Sequence, residues 1–303
     1  MMPQIADLRA LFGERLQEHV LLAPYTSARI GGPADALVTV KSADELAETM
    51  IRIWELRLPY VILGGGSNVL VGDRGVRGVV VLNRAKAVRF ERGDQPWVRA
   101  EAGVVFSNLA NRCAAQGLAG LEWAATVPGT VGGAVYGNAG AFGGDIAGNL
   151  IRAEVLFVPD RRETWPVEKF EYGYRTSVLK RGAAQAVVLA AELRLKNASA
   201  EEVSATIAQF GERRKATQPP GASMGSMFKN PPGDYAGRLI EAAGLKGTRI
   251  GNAEISPVHG NFFVNHGETK ASDIRALIEL TQKTVLEKFG IELELEVELI
   301  GEW

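Results

Sequence analysis

Tyr60-Val61-Ile62-Leu63-Gly64-Gly65-Gly66-Ser67-Asn68 joins a short apolar run to three consecutive glycines. A second glycine-rich stretch, Pro128-Gly129-Thr130-Val131-Gly132-Gly133-Ala134, continues its glycine pattern to Gly144, with seven glycines in seventeen residues. Glycine costs roughly 0.5–1 kcal/mol relative to alanine in regular structure, so this density indicates tight turns or close approach to a ligand. Bare backbone N–H groups in such loops suit phosphate oxygens. The two stretches therefore predict a nucleotide cofactor site.

Two common nucleotide-binding motifs do not fit these loops. The first lacks the third glycine of the dinucleotide pattern G-x-G-x-x-G, because position 69 is valine. The P-loop pattern G-x-x-x-x-G-K-[ST] occurs nowhere in the chain. Rossmann and P-loop proteins are therefore disfavoured, and a phosphate-binding role in another fold remains.

Composition limits the classes of partner. The chain has 303 residues, of which 23% are charged, and a net charge of −1, so no basic field favours nucleic acid or a membrane surface. Charged residues interrupt the N-terminal apolar positions, and no 18 apolar residues run together, which argues against a signal peptide or a membrane span. We expect a cytoplasmic protein, monomeric, in which the single cysteine, Cys113, is a buried hydrophobic residue.

Capping residues and hydrophobic periodicity predict a mixed α and β chain. Ser42 with Glu45 begins a predicted helix that runs to about residue 57, and Ser199 with Glu202 begins another that runs to about residue 214. Further helices are predicted at residues 106–116, 234–243 and 272–289. Strands are predicted at residues 60–63, 69–71, 79–82, 98–100, 153–158 and 187–195.

The C-terminal segment shows the strictest alternation. From residue 291 to 299, apolar residues alternate with Glu292, Glu294, Glu296 and Glu298, which predicts one strand with an acidic face. A break at Gln218-Pro219-Pro220-Gly221 and the change of pattern near residue 200 indicate that the last hundred residues form a separate module.

One competing enzymatic interpretation remains from motifs alone. Gly221-Ala222-Ser223-Met224-Gly225 matches G-x-S-x-G, and Asp234 and His259 follow in the chain order of an α/β-hydrolase triad. Prolines 219 and 220 stand where that motif needs a buried strand. His259 and His266 lack a third ligand nearby in sequence, so we expect no metal site.

A family resemblance connects several motifs along the chain. Residues 25–32 (YTSARIGG), the two glycine loops, Asn138-Ala139-Gly140-Ala141, Tyr174-Arg175, residues 225–231 (GSMFKNP) and the ending at Glu296-Val297 stand in the order of the UDP-N-acetylenolpyruvoylglucosamine reductases (UDP-N-acetylmuramate dehydrogenases, the MurB family). The chain resembles this family over nearly its whole length. It is similar to the branch without the additional tyrosine loop, because the segment after Arg175 is short.

The resemblance implies an α+β fold. It comprises a two-subdomain FAD-binding module of the p-cresol methylhydroxylase and vanillyl-alcohol oxidase type, and a C-terminal α+β substrate-binding domain. The implied domains are residues 1–82, 83–199 and 200–303, the last with a C-terminal strand that returns to the active site. The implied contacts of a non-covalent FAD are Gly64, Gly65, Gly66, Ser67, Asn68, Val69, Leu70, Pro128, Gly129, Thr130, Val131, Gly132, Gly133, Asn138 and Arg214.

The resemblance also implies the reaction and its residues. NADPH reduces FAD, and the enolpyruvyl ether of the UDP-sugar then accepts hydride and a proton, which gives UDP-N-acetylmuramate for peptidoglycan. Arg175 stabilises charge on the substrate carboxylate, Ser226 donates the proton and Glu296 assists. The implied substrate contacts are Lys229, Asn230 and His259.

One position departs from the family pattern, and two other functions stay open. Phe142 stands where the family often has tyrosine, so we do not expect a hydroxyl contact to the substrate there. The alternatives are a serine hydrolase acting through Ser223 and a non-catalytic flavin or nucleotide sensor. The sensor would have no use for Arg175, Ser226 and Glu296 together.

Overall fold

The computed structural model describes residues 5–303, so the first four residues of the predicted domain 1–82 lie outside the described residues. Within this range the chain forms eight α-helices: α1 Ile5–Phe12, α2 Ala43–Glu55, α3 Phe106–Ala114, α4 Val131–Gly137, α5 Ile146–Asn149, α6 Ala200–Thr217, α7 Ala236–Ala242 and α8 Ala271–Phe289. No helix in residues 5–303 is long and apolar enough to cross a membrane.

The strands are short and numerous. In chain order they are β1 Leu16–Leu21, β2 Pro33–Val40, β3 Tyr60–Leu63, β4 Val69–Val71, β5 Val76–Asn83, β6 Val88–Glu91, β7 Trp97–Glu101, β8 Leu118–Ala119, β9 Gly140–Ala141, β10 Gly144–Asp145, β11 Leu150–Phe157, β12 Arg161–Pro166, β13 Ala186–Arg194, β14 Lys196–Asn197, β15 Ala222–Ser226, β16 Arg249–Ile250, β17 Ala253–Ile255, β18 Phe262–Asn265 and β19 Glu298–Ile300. Every predicted strand up to residue 195 is confirmed, with boundaries shifted by a few residues.

Three sheets organise most of these strands. A five-stranded antiparallel sheet has the order β12-β11-β13-β7-β6. A four-stranded sheet has the order β1-β2-β5-β3, in which β3 and β5 are parallel. The C-terminal module contributes the antiparallel sheet β15-β18-β17-β16. This mixture of sheets with separate helices is an α+β fold.

The helix starts and ends follow the predicted capping residues. The Ser42 hydroxyl accepts a hydrogen bond from the Glu45 N–H at 3.1 Å before α2. Before α6, the Ser199 hydroxyl accepts from the Glu202 N–H at 3.1 Å, and the Glu202 carboxylate accepts from the Ser199 N–H at 3.4 Å. Gly290 ends α8 with φ of +67°, a conformation that glycine adopts without steric cost. Local sequence therefore sets these boundaries.

The predicted strand at residues 291–299 is wrong in extent. Ladder pairing begins only at β19, which runs parallel to β4, and the residues before it are joined to Phe228 by an isolated bridge at Leu295. Before β19 the alternation still follows burial, because Leu293 and Val297 are buried whereas Glu292 and Glu294 are exposed, but Leu299 within β19 is exposed. An alternating pattern identifies the face that packs, but not a continuous hydrogen-bonded neighbour.

The chain divides into two compact units. Unit 1 takes Leu37–Gly65, Val79–Arg213 and the described part of Met1–Gln17, and unit 2 takes Glu18–Ala36, Gly66–Gly78 and Arg214–Trp303. Each has its own buried apolar cluster, centred on residues such as Phe106 and Val155 in unit 1 and Phe228 and Phe263 in unit 2. The predicted domain boundaries at residues 82 and 199 stay predictions.

Candidate functional site

The two glycine loops contact each other within unit 1. A Cβ atom added to Gly64 would lie 2.3 Å from the Thr130 hydroxyl oxygen, and one added to Gly65 would lie 2.9 Å from the Gly129 Cα atom. Both separations are shorter than side-chain contacts tolerate, so these positions need glycine in order to bring the loops together. Arg84 supports the same turn, because its guanidinium donates to the Gly64 carbonyl oxygen at 2.7 Å.

The second loop leads directly into α4. The Val131 N–H donates to the Val104 carbonyl at 2.9 Å, and the Gly132 N–H donates to the Ala102 carbonyl at 2.8 Å. A Cβ atom on Gly132 would lie 2.8 Å from that of Ala102, so this glycine lets α4 pack closely on the segment after β7. Gly133, by contrast, is exposed, and a Cβ atom there would meet only Thr130, at 3.8 Å.

This arrangement fits the phosphate-containing part of a dinucleotide cofactor. Gly65, Pro128 and Gly133 are exposed, and the Gly65 backbone lies directly against that of Gly129 where the two loops meet. Glycine loops of this kind let main-chain N–H groups approach phosphate oxygens directly. The residues present in unit 1 are therefore compatible with the predicted cofactor contacts.

A pair of alanine substitutions tests the contact between the loops. Gly64→Ala should destabilise the protein by about 1–3 kcal/mol through overpacking and weaken flavin retention, because its methyl group would separate Gly64 from Thr130. Gly211→Ala is the matched control, since it lies within α6 with no atom within 4 Å of the added Cβ position. Thermal unfolding and flavin content after gel filtration measure both effects. Equal behaviour of the two variants would contradict the packing argument.

The remainder of the first loop belongs to unit 2, where it meets the segment that contains Glu296. Gly66 has φ of +59°, and its carbonyl accepts from the Ser27 N–H at 2.9 Å. The Asn68 amide donates to the Glu296 carbonyl oxygen at 3.0 Å, and the Glu298 N–H donates to the Asn68 carbonyl at 3.0 Å. A predicted cofactor contact and a predicted catalytic residue are therefore directly joined.

Ser226 stands at the end of β15, next to a register shift in its pairing with β18. Gly225, with φ of +77°, provides the unusual backbone conformation immediately before it. Directly after it, the Met227 carbonyl accepts from the Glu296 N–H at 2.9 Å. Unit 2 therefore brings the backbones around Ser226 and Glu296 together, although Met227 and Glu296 are 69 positions apart in the chain.

Asn261 stabilises this strand end and was missed in the sequence. It is buried; its side-chain oxygen accepts from the Phe228 N–H at 2.9 Å, and its amide nitrogen donates to the Phe228 carbonyl at 2.8 Å. Its own carbonyl accepts from the Met227 N–H at 2.8 Å. No local motif marks this residue, because the partner of its side chain lies more than thirty positions away.

The three predicted substrate contacts also lie in unit 2. Lys229 forms an ion pair with Glu294, and the Asn230 side-chain oxygen accepts from the Ala236 N–H at 3.1 Å, at the start of α7. The His259 Nδ1 atom accepts from the Asn261 N–H at 3.2 Å. Burial lowers the pKa of His259, so its ring is neutral at pH 7. Their role in substrate binding stays a prediction.

Arg175 and Arg214 belong to different units. Arg175 is half-buried in unit 1, in a tight turn with φ of +57°, and its guanidinium carbon lies 5.8 Å from the centre of the Tyr174 ring. In unit 2, burial lowers the pKa of Arg214, and its Nε atom donates to the Gln218 side-chain oxygen at 2.5 Å. An arginine remains protonated despite such a shift, so the Arg214 side chain is a cation.

Two further positions have an evident structural role. The Phe142 ring stacks on Phe210 with 4.4 Å between ring centres, which gives this departure from the family pattern a packing function. Cys113 is buried, as predicted, and burial raises its pKa to about 12. A thiol with that pKa is inert at neutral pH.

The geometry does not fit the serine-hydrolase alternative. Ser223 lies inside β15, which continues to Ser226, whereas a nucleophile elbow needs a sharp turn from a strand directly into a helix. The Asp234 carboxylate accepts from the Tyr235 N–H at 2.7 Å and forms an ion pair with Arg238, so the bonds of this carboxylate are local. Ser223 therefore lacks the setting of an activated nucleophile.

Comparisons with known proteins agree with the predicted family. A family model described as the C-terminal domain of UDP-N-acetylenolpyruvoylglucosamine reductase matches residues 216–300, and one described as an FAD binding domain matches residues 34–160. A UDP-N-acetylenolpyruvoylglucosamine reductase of Chloroflexus aggregans is 47% identical over 92% of this chain and 95% of its own length. The reductase of Bacillus velezensis is 41% identical over 98% of both chains.

A solved structure supports the same assignment. The crystal structure of the reductase (MurB) from Thermus caldophilus is similar with a TM-score of 0.80 and 38% identity, over 94% of this chain and 98% of that one. Together with the FAD-binding family model, this similarity confirms the predicted FAD-binding α+β fold. The chain belongs to the UDP-N-acetylenolpyruvoylglucosamine reductase family of flavoprotein oxidoreductases.

Proposed function

We propose that this chain reduces the enolpyruvyl group of UDP-N-acetylenolpyruvoylglucosamine to UDP-N-acetylmuramate, with NADPH as the reductant. The product serves peptidoglycan precursor synthesis in the cytoplasm. The observation that carries the proposal is the hydrogen bond from the Glu296 N–H to the carbonyl of Met227, the residue directly after Ser226 in unit 2. The near full-length similarity to relatives named for this substrate supports it.

The cofactor residues are those of the two glycine loops. We propose that residues 64–70 and 128–133 hold FAD, with Arg214 as a further contact and Asn138 nearby. When bound, FAD would supply hydride transfer from NADPH to the terminal alkene carbon of the substrate. The chain contributes backbone N–H groups for the pyrophosphate and glycine surfaces that allow close approach.

Three side chains perform the remaining chemistry. Negative charge develops on the enolpyruvyl carboxylate as the alkene is reduced, and the Arg175 guanidinium stabilises it, since a planar fork matches a carboxylate. The Ser226 hydroxyl donates a proton to the carbon that bears the carboxylate. A serine hydroxyl is a weak acid, so this role requires close positioning. Glu296 assists from the neighbouring segment.

The C-terminal domain, residues 200–303, binds the UDP-sugar in this proposal. Lys229, Asn230 and His259 are its contacts. Lys229 and Asn230 follow Ser226 in the chain, and His259 precedes Phe262, which pairs with Ser226. We propose that the protein acts as a monomer with the domain division 1–82, 83–199 and 200–303. The match of residues 216–300 to the C-terminal domain of the reductase family supports the last of these.

The visible absorption spectrum tests the function directly. Purified protein should show flavin absorbance, lose it when NADPH is added under anaerobic conditions, and regain it when the enolpyruvyl substrate follows. Absence of flavin from folded protein after reconstitution with FAD would overturn the cofactor assignment. Flavin that NADPH reduces but the substrate never reoxidises would leave the fold intact and remove the proposed reaction.

A further inference from the structure

The turn that holds Arg175 is a closed loop of four residues in unit 1. The Gly173 N–H donates to the Thr176 carbonyl at 3.1 Å, and the Thr176 N–H donates to the Gly173 carbonyl at 3.3 Å. Tyr174 and Arg175 form the tip, and Arg175 has φ of +57°. Residues other than glycine rarely adopt this left-handed backbone conformation, so the contacts around the turn must hold Arg175 in it.

Three side-chain hydrogen bonds fasten this turn to one end of α4. The Tyr172 hydroxyl donates to the Val135 carbonyl at 2.8 Å, and the Ser177 hydroxyl donates to the Tyr136 carbonyl at 2.6 Å. The Asn138 amide donates to the Gly173 carbonyl at 3.0 Å. The first two bonds therefore flank the turn on either side, and the third joins the turn itself.

The end of α4 is suited to accept these bonds. The last carbonyl groups of any helix have no partner within the helix, and Val135 and Tyr136 lie in the last turn of α4. Ser177 is fully buried and Asn138 is 6% exposed. The Asn138 side-chain oxygen also accepts from the Ala147 N–H at 3.0 Å, which fixes the direction of its amide group. Water therefore does not compete for the contacts of Ser177 and Asn138.

We propose that Tyr172, Asn138 and Ser177 are positioning residues that hold Arg175 at the orientation needed for the substrate carboxylate. The inference rests on the proposed function, because Arg175 must act on the substrate for its position to matter. α4 begins within the second glycine loop and ends at this turn, so one short helix connects a cofactor contact to the arginine. Asn138 acts through the turn, by its bond to the Gly173 carbonyl.

Two substitutions remove single hydroxyl groups without changing side-chain shape. Tyr172→Phe and Ser177→Ala should leave flavin reduction by NADPH within about twofold and slow reoxidation by the enolpyruvyl substrate about tenfold, because a misdirected guanidinium loses transition-state contact. Thr281→Val is the matched control. Its buried hydroxyl donates to the Leu277 carbonyl at 2.7 Å within α8, so both half-reactions should stay normal in that variant.

A coupling measurement separates positioning from stability. In an Arg175→Ala background, Tyr172→Phe should slow reoxidation no further, since the group that it positions is gone. Tyr172→Phe and Ser177→Ala should also raise amide hydrogen exchange in residues 173–176 of the flavin-free protein, whereas Thr281→Val should not. This second readout requires neither cofactor nor substrate.

The possible results are distinguishable. Unchanged reoxidation in Arg175→Ala would overturn the proposed role of that arginine. Slow reoxidation in Arg175→Ala with normal reoxidation in Tyr172→Phe and Ser177→Ala would overturn the positioning inference alone. Additive losses in the double variant, or equal slowing of both half-reactions, would show that the hydroxyl groups serve folding and not Arg175.

Discussion

Ser226→Ala should slow reoxidation of the reduced flavin by the enolpyruvyl substrate by about 10²–10⁴-fold, the usual contribution of a positioned proton donor. Flavin reduction by NADPH should remain within about twofold of the unmodified protein, because that step needs no proton from Ser226. Stopped-flow absorbance under anaerobic conditions measures the two half-reactions separately.

The position of Ser226 explains why a large effect is expected. The serine follows Gly225, whose φ of +77° bends the strand, and precedes residues that Asn261 fixes by three hydrogen bonds. Alanine at 226 keeps this backbone intact and removes only the hydroxyl group. The loss should therefore be chemical and not structural.

Ser223→Ala provides a control in the same strand. Ser223 pairs with Val264 in the ladder three residues before Ser226, so its replacement tests general damage to β15. Both half-reactions should remain normal in this variant. Because Ser223 is the nucleophile of the hydrolase alternative, the same variant also tests that alternative. If Ser226→Ala slows both half-reactions equally, or neither, the proton-donor role is wrong.

Local signals predicted five of the eight helices and six of the nineteen strands found in residues 5–303, and they missed α1, α4, α5 and most of the shortest strands. Ser42 and Ser199 accept the predicted capping bonds, and Gly290 ends α8 where the pattern stops. Such capping features depend on residues within a few positions of each other, so they can be predicted from the sequence. The strand predicted at residues 291–299 is wrong in extent. Its alternating sequence follows burial, whereas its hydrogen-bond partners are distant residues such as Asn68 and Met227.

The residues of the candidate site were harder to predict from the sequence than the helices. Glycine density correctly indicated close backbone contacts, but not that Gly64 and Gly65 contact Thr130 and Gly129. Ser226 has no physical signature of its own, and only the family resemblance identified it. The sequence around Asn261 did not predict its structural role. A buried asparagine is recognised from its hydrogen-bond partners, and the side-chain partner of Asn261 is the distant residue Phe228.

Arg175→Ala should slow reoxidation by about 10²–10³-fold, the magnitude typical of losing a charge-stabilising donor, and should leave flavin reduction by NADPH within about twofold. Arg175→Lys should recover only part of this loss, since an ammonium group restores the charge but not the two parallel hydrogen bonds of a guanidinium. The measurement is the reoxidation rate at saturating and at low substrate concentration.

The comparison of the lysine and alanine variants decides what the arginine contributes. Both replacements must adopt the same left-handed backbone conformation, because the turn between Gly173 and Thr176 is closed by its own hydrogen bonds, so backbone strain is equal in the two variants. Arg181→Lys is the control in the same segment, where an exposed pair with Glu171 contributes little. A lysine variant as slow as the alanine variant would mean that guanidinium geometry matters more than charge. A lysine variant as fast as the unmodified protein would mean that charge alone suffices, and a fixed orientation of the turn would then not be required.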